Sequence, residues 1–170
     1  MADKAKARAA ALRLIEEHGV RAAPVPLDRI IRAAGVVVQY GPFDGELSGM
    51  AFIKDGQPMI GVNSLHASTR QRFTLAHELG HILLHRPVLE ASGVHVDKGS
   101  LRRDSLASEG VDDQEIEANN FAAELLMPEP LLAAALDGHN LDFEDEEAVQ
   151  ALAKKFKVST MALQFRVQRI

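Results

Sequence analysis

Apolar and polar positions change period several times along the chain, and each change marks an element. Over residues 5–18 the apolar side chains recur at helical spacing and the run stops at Gly19, which predicts an amphipathic helix. The prolines that open "APVPLDRIIRAAG" and the Gly35 that closes it bound a second, short helix over 27–34. Residues 36–40, "VVVQY", are rich in β-branched side chains and read as a strand. Two further apolar runs, 50–54 and 58–62, flank Asp55-Gly56 and predict a hairpin. Pro58 has no N–H to give to a ladder, so the second hairpin strand begins at a sheet edge or lies along one.

The longest apolar segment follows. It predicts a helix that Ser68 or Thr69 can cap and that stops before Pro87. Residues 86–113 are polar, charged and glycine-containing with no sustained period, and read as a long loop with one short helical turn. Helices then follow over 114–127, ended by Pro128, from Pro130 or Leu131 to near Gly138, over 146–156 and over 159–169. The sum is an α+β fold: a small three-stranded sheet with several helices in a core over 1–138, closed by a C-terminal helical pair over 139–170 packed on that core.

Composition narrows the chemistry. Hydrophobic residues make up 46% and charged residues 25%, the balance of a globular domain with a real core. The chain has no cysteine, which removes disulfides, thiolate zinc sites and cysteine catalysis. Any metal must therefore sit on histidine, aspartate or glutamate. A net charge of −5 argues against direct nucleic-acid binding by the surface as a whole. No apolar run approaches the roughly 20 residues of a membrane helix, and the first residues lack the apolar core of a signal peptide. These features point to a cytoplasmic protein without membrane contact.

The predicted helix before Pro87 contains "RQRFTLAHELGHILLH", and within it His77-Glu78-Leu79-Gly80-His81. Residues four apart share one helix face, so His77 and His81 can hold one metal ion from the same side. Glu78 is turned about 100° from His77 and can stand beside the metal without binding it. Zinc acidifies a bound water, and a carboxylate at its side can take the proton. That is the mechanical content of H-E-x-x-H, whose three fixed residues also arise by chance. The bland account is a buried helix that happens to carry histidines. It leaves a charged Glu78 in an apolar segment without a partner, which is costly. His85 continues the stripe but stands a further turn, about 6 Å, along the axis, which suits an outer-shell or structural histidine.

A catalytic zinc takes three protein ligands and keeps one position open. The metzincin pattern would place a histidine six residues after His81, where the chain has Pro87. A glutamate from a second helix is the other solution, and "QEIEANNFAAELLMP" offers Glu115 and Glu117. Glu115 shares a face with Asn119, Ala122 and Leu126, and the alanines would let this helix pack closely on the first. Glu117 points roughly 200° away, which suits a solvated side chain. Asn119 can hydrogen-bond the second nitrogen of a ligating histidine. His95 is a weaker alternative third ligand. Tyr40, the only tyrosine, and Met127 suit core positions better than a site, and His66 carries no stronger signal.

Three segments in this order, "MIGVNS", "RQRFTLAHELGHILLH" and "EIEANNFAAELLMP", resemble the ImmA/IrrE metallopeptidases. The resemblance covers roughly residues 5–128, with weaker support near the C-terminus. It implies a compact zincin-like metalloprotease core with Zn2+ held between two helices by His77, His81 and Glu115, and Glu78 as the catalytic base. It also implies a zinc endopeptidase that cuts an XRE-type helix-turn-helix repressor and so switches on stress-response or mobile-element genes. The substrate is then expected to lie as an extended strand along the edge formed by 58–62. The rival reading starts from "AVQALAKKFKVSTMALQFRVQRI", which looks like a helix-turn-helix made locally basic by Lys154, Lys155, Lys157, Arg166 and Arg169. Under it the chain is a DNA-binding or protein-binding regulatory module with a metal site and no proteolysis. Two helices that merely close the core are the blander account of that stretch.

Overall fold

The computed structural model of the chain describes residues 1–97 and 109–170, and the side chains of these apart from 109–112. Asp3 accepts a hydrogen bond from the Lys6 N–H at 2.9 Å and starts helix α1 (Lys4–Glu17), which buries Ala7, Ala11 and Ile15 at steps of four. Helix α2 (Leu27–Ala33) follows Pro26. Strands β1 (Val37–Gly41), β2 (Gly49–Lys54) and β3 (Gln57–Asn63) come next. The β2–β3 turn places Asp55 and Gly56 at φ 52° and 77°, the left-handed pair that a tight hairpin needs. Then come α3 (Ser68–Leu84), α4 (Arg86–Ser92), β4 (Val94–Asp97), α5 (Glu109–Leu126), α6 (Glu129–Leu136), α7 (Glu146–Phe156) and α8 (Thr160–Val167).

The strands form one four-stranded sheet in the order β1-β3-β2-β4. β1 runs parallel to β3, and β2 is antiparallel to both β3 and β4. The fold is α+β as expected, with one strand more than the three predicted. The extra strand lies inside the stretch read as a loop. Val94 and Val96 are 45% and 40% exposed, while His95 and Asp97 turn inward. The usual alternation is inverted, so hydrophobicity gives no sign of a strand. The same stretch also holds α4, whose first turn accommodates Pro87, and the start of α5. The remainder of the predicted loop, 98–108, lies outside the described residues.

Two other expectations are corrected. Ala67, not Ser68 or Thr69, is the N-cap of α3, and it makes no side-chain cap bond. β3 is not an edge: it pairs with β2 at Pro58↔Ile53 and with β1 from Met59 onward. Pro58 thus sits one residue before the second ladder begins, where its missing N–H costs nothing. Among the described residues, the edges of the sheet are β1 and β4.

α3 lies between the sheet and α5 and is buried continuously from Thr74 to Ile82. Its approach to α5 depends on Gly80. A Cβ there would stand 3.0 Å from Phe121 Cδ1, 3.3 Å from Ala118 Cα and 3.4 Å from Ala118 O. Gly80→Ala is therefore expected to destabilise the fold by about 1–3 kcal/mol, despite the better helix propensity of alanine. Urea unfolding reads this as a lower midpoint at unchanged slope, and an unchanged midpoint would show that the two helices can part.

The hydrophobic cluster runs from Ala11 and Leu79 through Phe121 and Leu125 to Phe156 and Leu163, so α7 and α8 share it with the central helices. α8 is also fastened by Arg166, which is 4% exposed. Arg166 donates to the Glu124 carboxylate and, through Nε at 3.1 Å, to the Met127 carbonyl. It is turned into the core and does not contribute to the basic face that the helix-turn-helix reading required. No helix among the described residues is long and apolar enough to cross a membrane.

Candidate metal centre

Burial makes the middle of α3 chemically demanding. His77, Glu78 and His81 are 4%, 0% and 2% exposed, and polar groups at that depth need partners. α5 brings the Glu115 carboxylate to them. Glu115 Oε2 is 3.2 Å from His77 Nε2, Glu115 Oε1 is 3.1 Å from His81 Nε2, and the two Nε2 atoms are 3.1 Å apart. Donor atoms at the corners of a zinc tetrahedron stand about 3.3 Å apart. Each separation is close to an edge of such a tetrahedron, the two histidines meeting different oxygens of the same carboxylate.

The outer nitrogens fix which way the lone pairs point. His77 Nδ1 is 3.0 Å from Asn119 Oδ1, an acceptor, so this nitrogen carries the proton and donates. His85 Nε2 is 2.8 Å from Glu117 Oε2 and donates to it. That leaves His85 Nδ1 to accept from His81 Nδ1, 3.2 Å away. Both inner Nε2 atoms then carry lone pairs that face each other and the carboxylate. Such an arrangement repels itself unless a cation lies among the three, and outer-shell bonds of this kind are what orient metal-binding imidazoles. The residues fit a divalent metal.

Glu78 stands beside these atoms. Its Oε2 accepts from His95 Nδ1 at 3.0 Å, while its buried Oε1 has no hydrogen-bond partner among the described residues. Burial raises the Glu78 carboxyl above the usual range, and the His95 bond opposes this in part. Burial lowers His81, to about 3; the Glu115 carboxylate opposes this and the neighbouring His77 and His95 add to it. The His77 imidazolium is likewise disfavoured by burial, yet the neighbouring Glu115 and Glu78 carboxylates leave its pKa raised. Burial alone would raise Glu115, but the His77, His81 and His95 imidazoles packed against it hold it far below the normal carboxylate range. For His95, burial is outweighed by bonds to Glu115 and Glu78, and it is pushed up to about 10.

All the residues singled out on α3 and on the Glu115 face of α5 come together at this place. Glu117 does too, against the expectation that it is solvated. It accepts from His85 and, at 2.7 Å, from the Asp3 backbone N–H, which ties the start of α1 to the histidine stripe. His95 arrives from β4, and the four donors of His77, His81, His95 and Glu115 lie within 4.8 Å of one another. Tyr40, on the opposite edge strand, is 55% exposed rather than in the core. His66 binds the Gly45 carbonyl and Asn63, away from the cluster. Met127 is fully buried.

A buried pair of helical histidines, a glutamate from the facing helix and a second carboxylate beside them, under a mixed sheet, define a domain built to hold a divalent metal. Residues 31–168 match the family model Peptidase_M78, the IrrE N-terminal-like domain, and the chain belongs to that family. It is 37% identical over 103 residues to the radiation response metalloprotease IrrE of Deinococcus radiodurans. That match spans 59% of this chain and 28% of IrrE. The fold is also similar to that of a Mycobacterium tuberculosis transcriptional regulator, with a TM-score of 0.59 at 20% identity, over 92% of this chain and 44% of that one.

Proposed function

We propose that the chain is a zinc-dependent endopeptidase in which His77, His81 and Glu115 hold the metal and Glu78 is the general base. The observation that carries this reading is the convergence of two imidazole Nε2 atoms and a carboxylate beside a buried glutamate with one unpartnered oxygen. Zinc held there would acidify a water and polarise the scissile carbonyl. Glu78 Oε1 is the free oxygen able to take the proton of the attacking water and later pass it to the leaving amine. Asn119 and the His85–Glu117 pair keep the two histidines in the tautomer that presents Nε2.

The substrate in this reading is a peptide in extended form. Among the described residues β4 pairs with β2 on one side only, and it carries His95 into the site, so its outer edge is the proposed place for strand addition. This replaces the expectation that 58–62 forms that edge. Main-chain pairing reads few side chains, so selectivity must come from surfaces around the cleft. The proposed substrate is one regulator, an XRE-type helix-turn-helix repressor, cut at one place in the cytoplasm to release stress-response or mobile-element genes. Support comes from the family, from the relative described as a radiation response metalloprotease, and from the buried Arg166, which weakens the DNA-binding alternative.

The test is to incubate the zinc-loaded protein with the helix-turn-helix protein encoded beside it and read the fragments by mass spectrometry. One discrete cut, absent with chelator, is expected. Efficient digestion of casein-like unfolded chains with the repressor left intact would reject the repressor and keep the peptidase. Specific duplex binding with no cleavage of either would favour the DNA-binding reading.

A further inference from the structure

His95 is close enough to the donors to invite assignment as a fourth ligand, and the ring geometry decides against it. Two imidazoles bound to one tetrahedral zinc through Nε2 hold their ring centres about 5 Å apart. The His77 and His81 rings meet this at 4.8 Å, crossed at 75°. The His95 ring lies only 3.8 Å from that of His81 and nearly parallel to it, at 29°. It is stacked on a neighbour and lies alongside it. Its two nitrogens are spent elsewhere: Nδ1 on Glu78 Oε2 at 3.0 Å and Nε2 on Glu115 Oε1 at 2.7 Å.

We infer that His95 is a positioning residue that fixes the base. By holding Oε2 of Glu78, it leaves the unpartnered Oε1 as the oxygen that can meet the water. The inference rests on the peptidase reading above and adds a residue to it. Its placement on β4 has a consequence. His95 is paired in register with Ala51, and its strand is the edge along which a peptide would add. Docking of substrate on β4 and alignment of Glu78 then become one event, because the strand that binds the main chain carries the residue that orients the base. A misplacement of the base by about 1 Å costs roughly 10²-fold in rate.

The two nitrogens can be separated by substitution. Asparagine places an N–H2 near the position of Nδ1, and glutamine near that of Nε2. His95→Ala and His95→Gln are expected to lower kcat about 10²-fold with KM within about threefold. His95→Asn is expected to recover most of kcat, and all three to keep one zinc. Loss of zinc in His95→Ala would make it a ligand and overturn the inference. So would wild-type kcat in His95→Ala, or a kcat in His95→Asn as low as in the alanine variant. A second readout does not depend on turnover. In the zinc-loaded protein, 15N NMR of the histidine rings should show a protected His95 Nδ1–H that is lost in Glu78→Ala. If wild type cuts nothing but this signal behaves as stated, the peptidase reading fails while the His95–Glu78 bond stands. If wild type cuts and the signal is absent or indifferent to Glu78, the positioning role fails alone.

Discussion

Glu78→Gln should leave the fold and the zinc content intact and cut peptide hydrolysis by orders of magnitude. Glutamine nearly matches glutamate in shape, and its carbonyl oxygen can still accept the His95 Nδ1–H bond that Oε2 accepts now. Its amide nitrogen, however, takes the place of the unpartnered Oε1, and an amide cannot take a proton from water. General-base catalysis is worth about 10²–10⁴-fold, so kcat/KM should fall by that range with little change in KM. Because Glu78 binds no metal in this account, equilibrium zinc titration should give the wild-type stoichiometry. Wild-type turnover in this variant would remove Glu78 from the chemistry. Loss of zinc would show that it is a ligand.

Glu115→Ala should have the opposite signature, with zinc lost and the chain still folded. Glu115 is the only carboxylate that meets both His77 Nε2 and His81 Nε2 among the described residues. Its removal leaves two neutral donors on one helix, and affinity should fall by more than the roughly 10–100-fold typical of outer-shell partners. Glu117→Ala removes the acceptor of His85, two bonds away from the metal, and should stay within that outer-shell range. Competition with a chromophoric chelator measures both. His77→Ala should behave like Glu115→Ala. Full zinc occupancy in His77→Ala and Glu115→Ala would reject the ligand set. Near-complete loss in Glu117→Ala with retention in Glu115→Ala would mean that the other glutamate holds the metal.

The middle of α3 was legible because a long apolar helix with His77 and His81 four apart leaves Glu78 no cheap explanation. The common face of Glu115 and Asn119 was legible because both turn toward α3 from one side of α5. Periodicity reports only the angle of a side chain about its own axis. It says nothing of where the far end of the neighbouring helix lies, which is why Glu117, pointing away from Glu115, still meets His85 and the start of α1. β4 was hidden by its inverted pattern, with valines outward and His95 inward, and so the placement of His95 against Glu78 was hidden too. Arg166 looked like part of a basic helix because charge along a sequence does not show which side faces Glu124. Pro58 suggested an edge, yet a strand can begin at a proline and still be paired on both sides once the next residue supplies the N–H.

The central claim is metal-dependent hydrolysis at Glu78, and one measurement tests it most directly. Zinc-loaded wild type and Glu78→Gln are incubated with the neighbouring helix-turn-helix protein and with an unfolded chain in water enriched in 18O, and the products are read by mass spectrometry. The account predicts new C-termini that carry one 18O in wild type, none with chelator, and at least about 10²-fold slower formation in Glu78→Gln. New termini that form in Glu78→Gln at the wild-type rate, or no new termini with either substrate in fully zinc-loaded wild type, would contradict it.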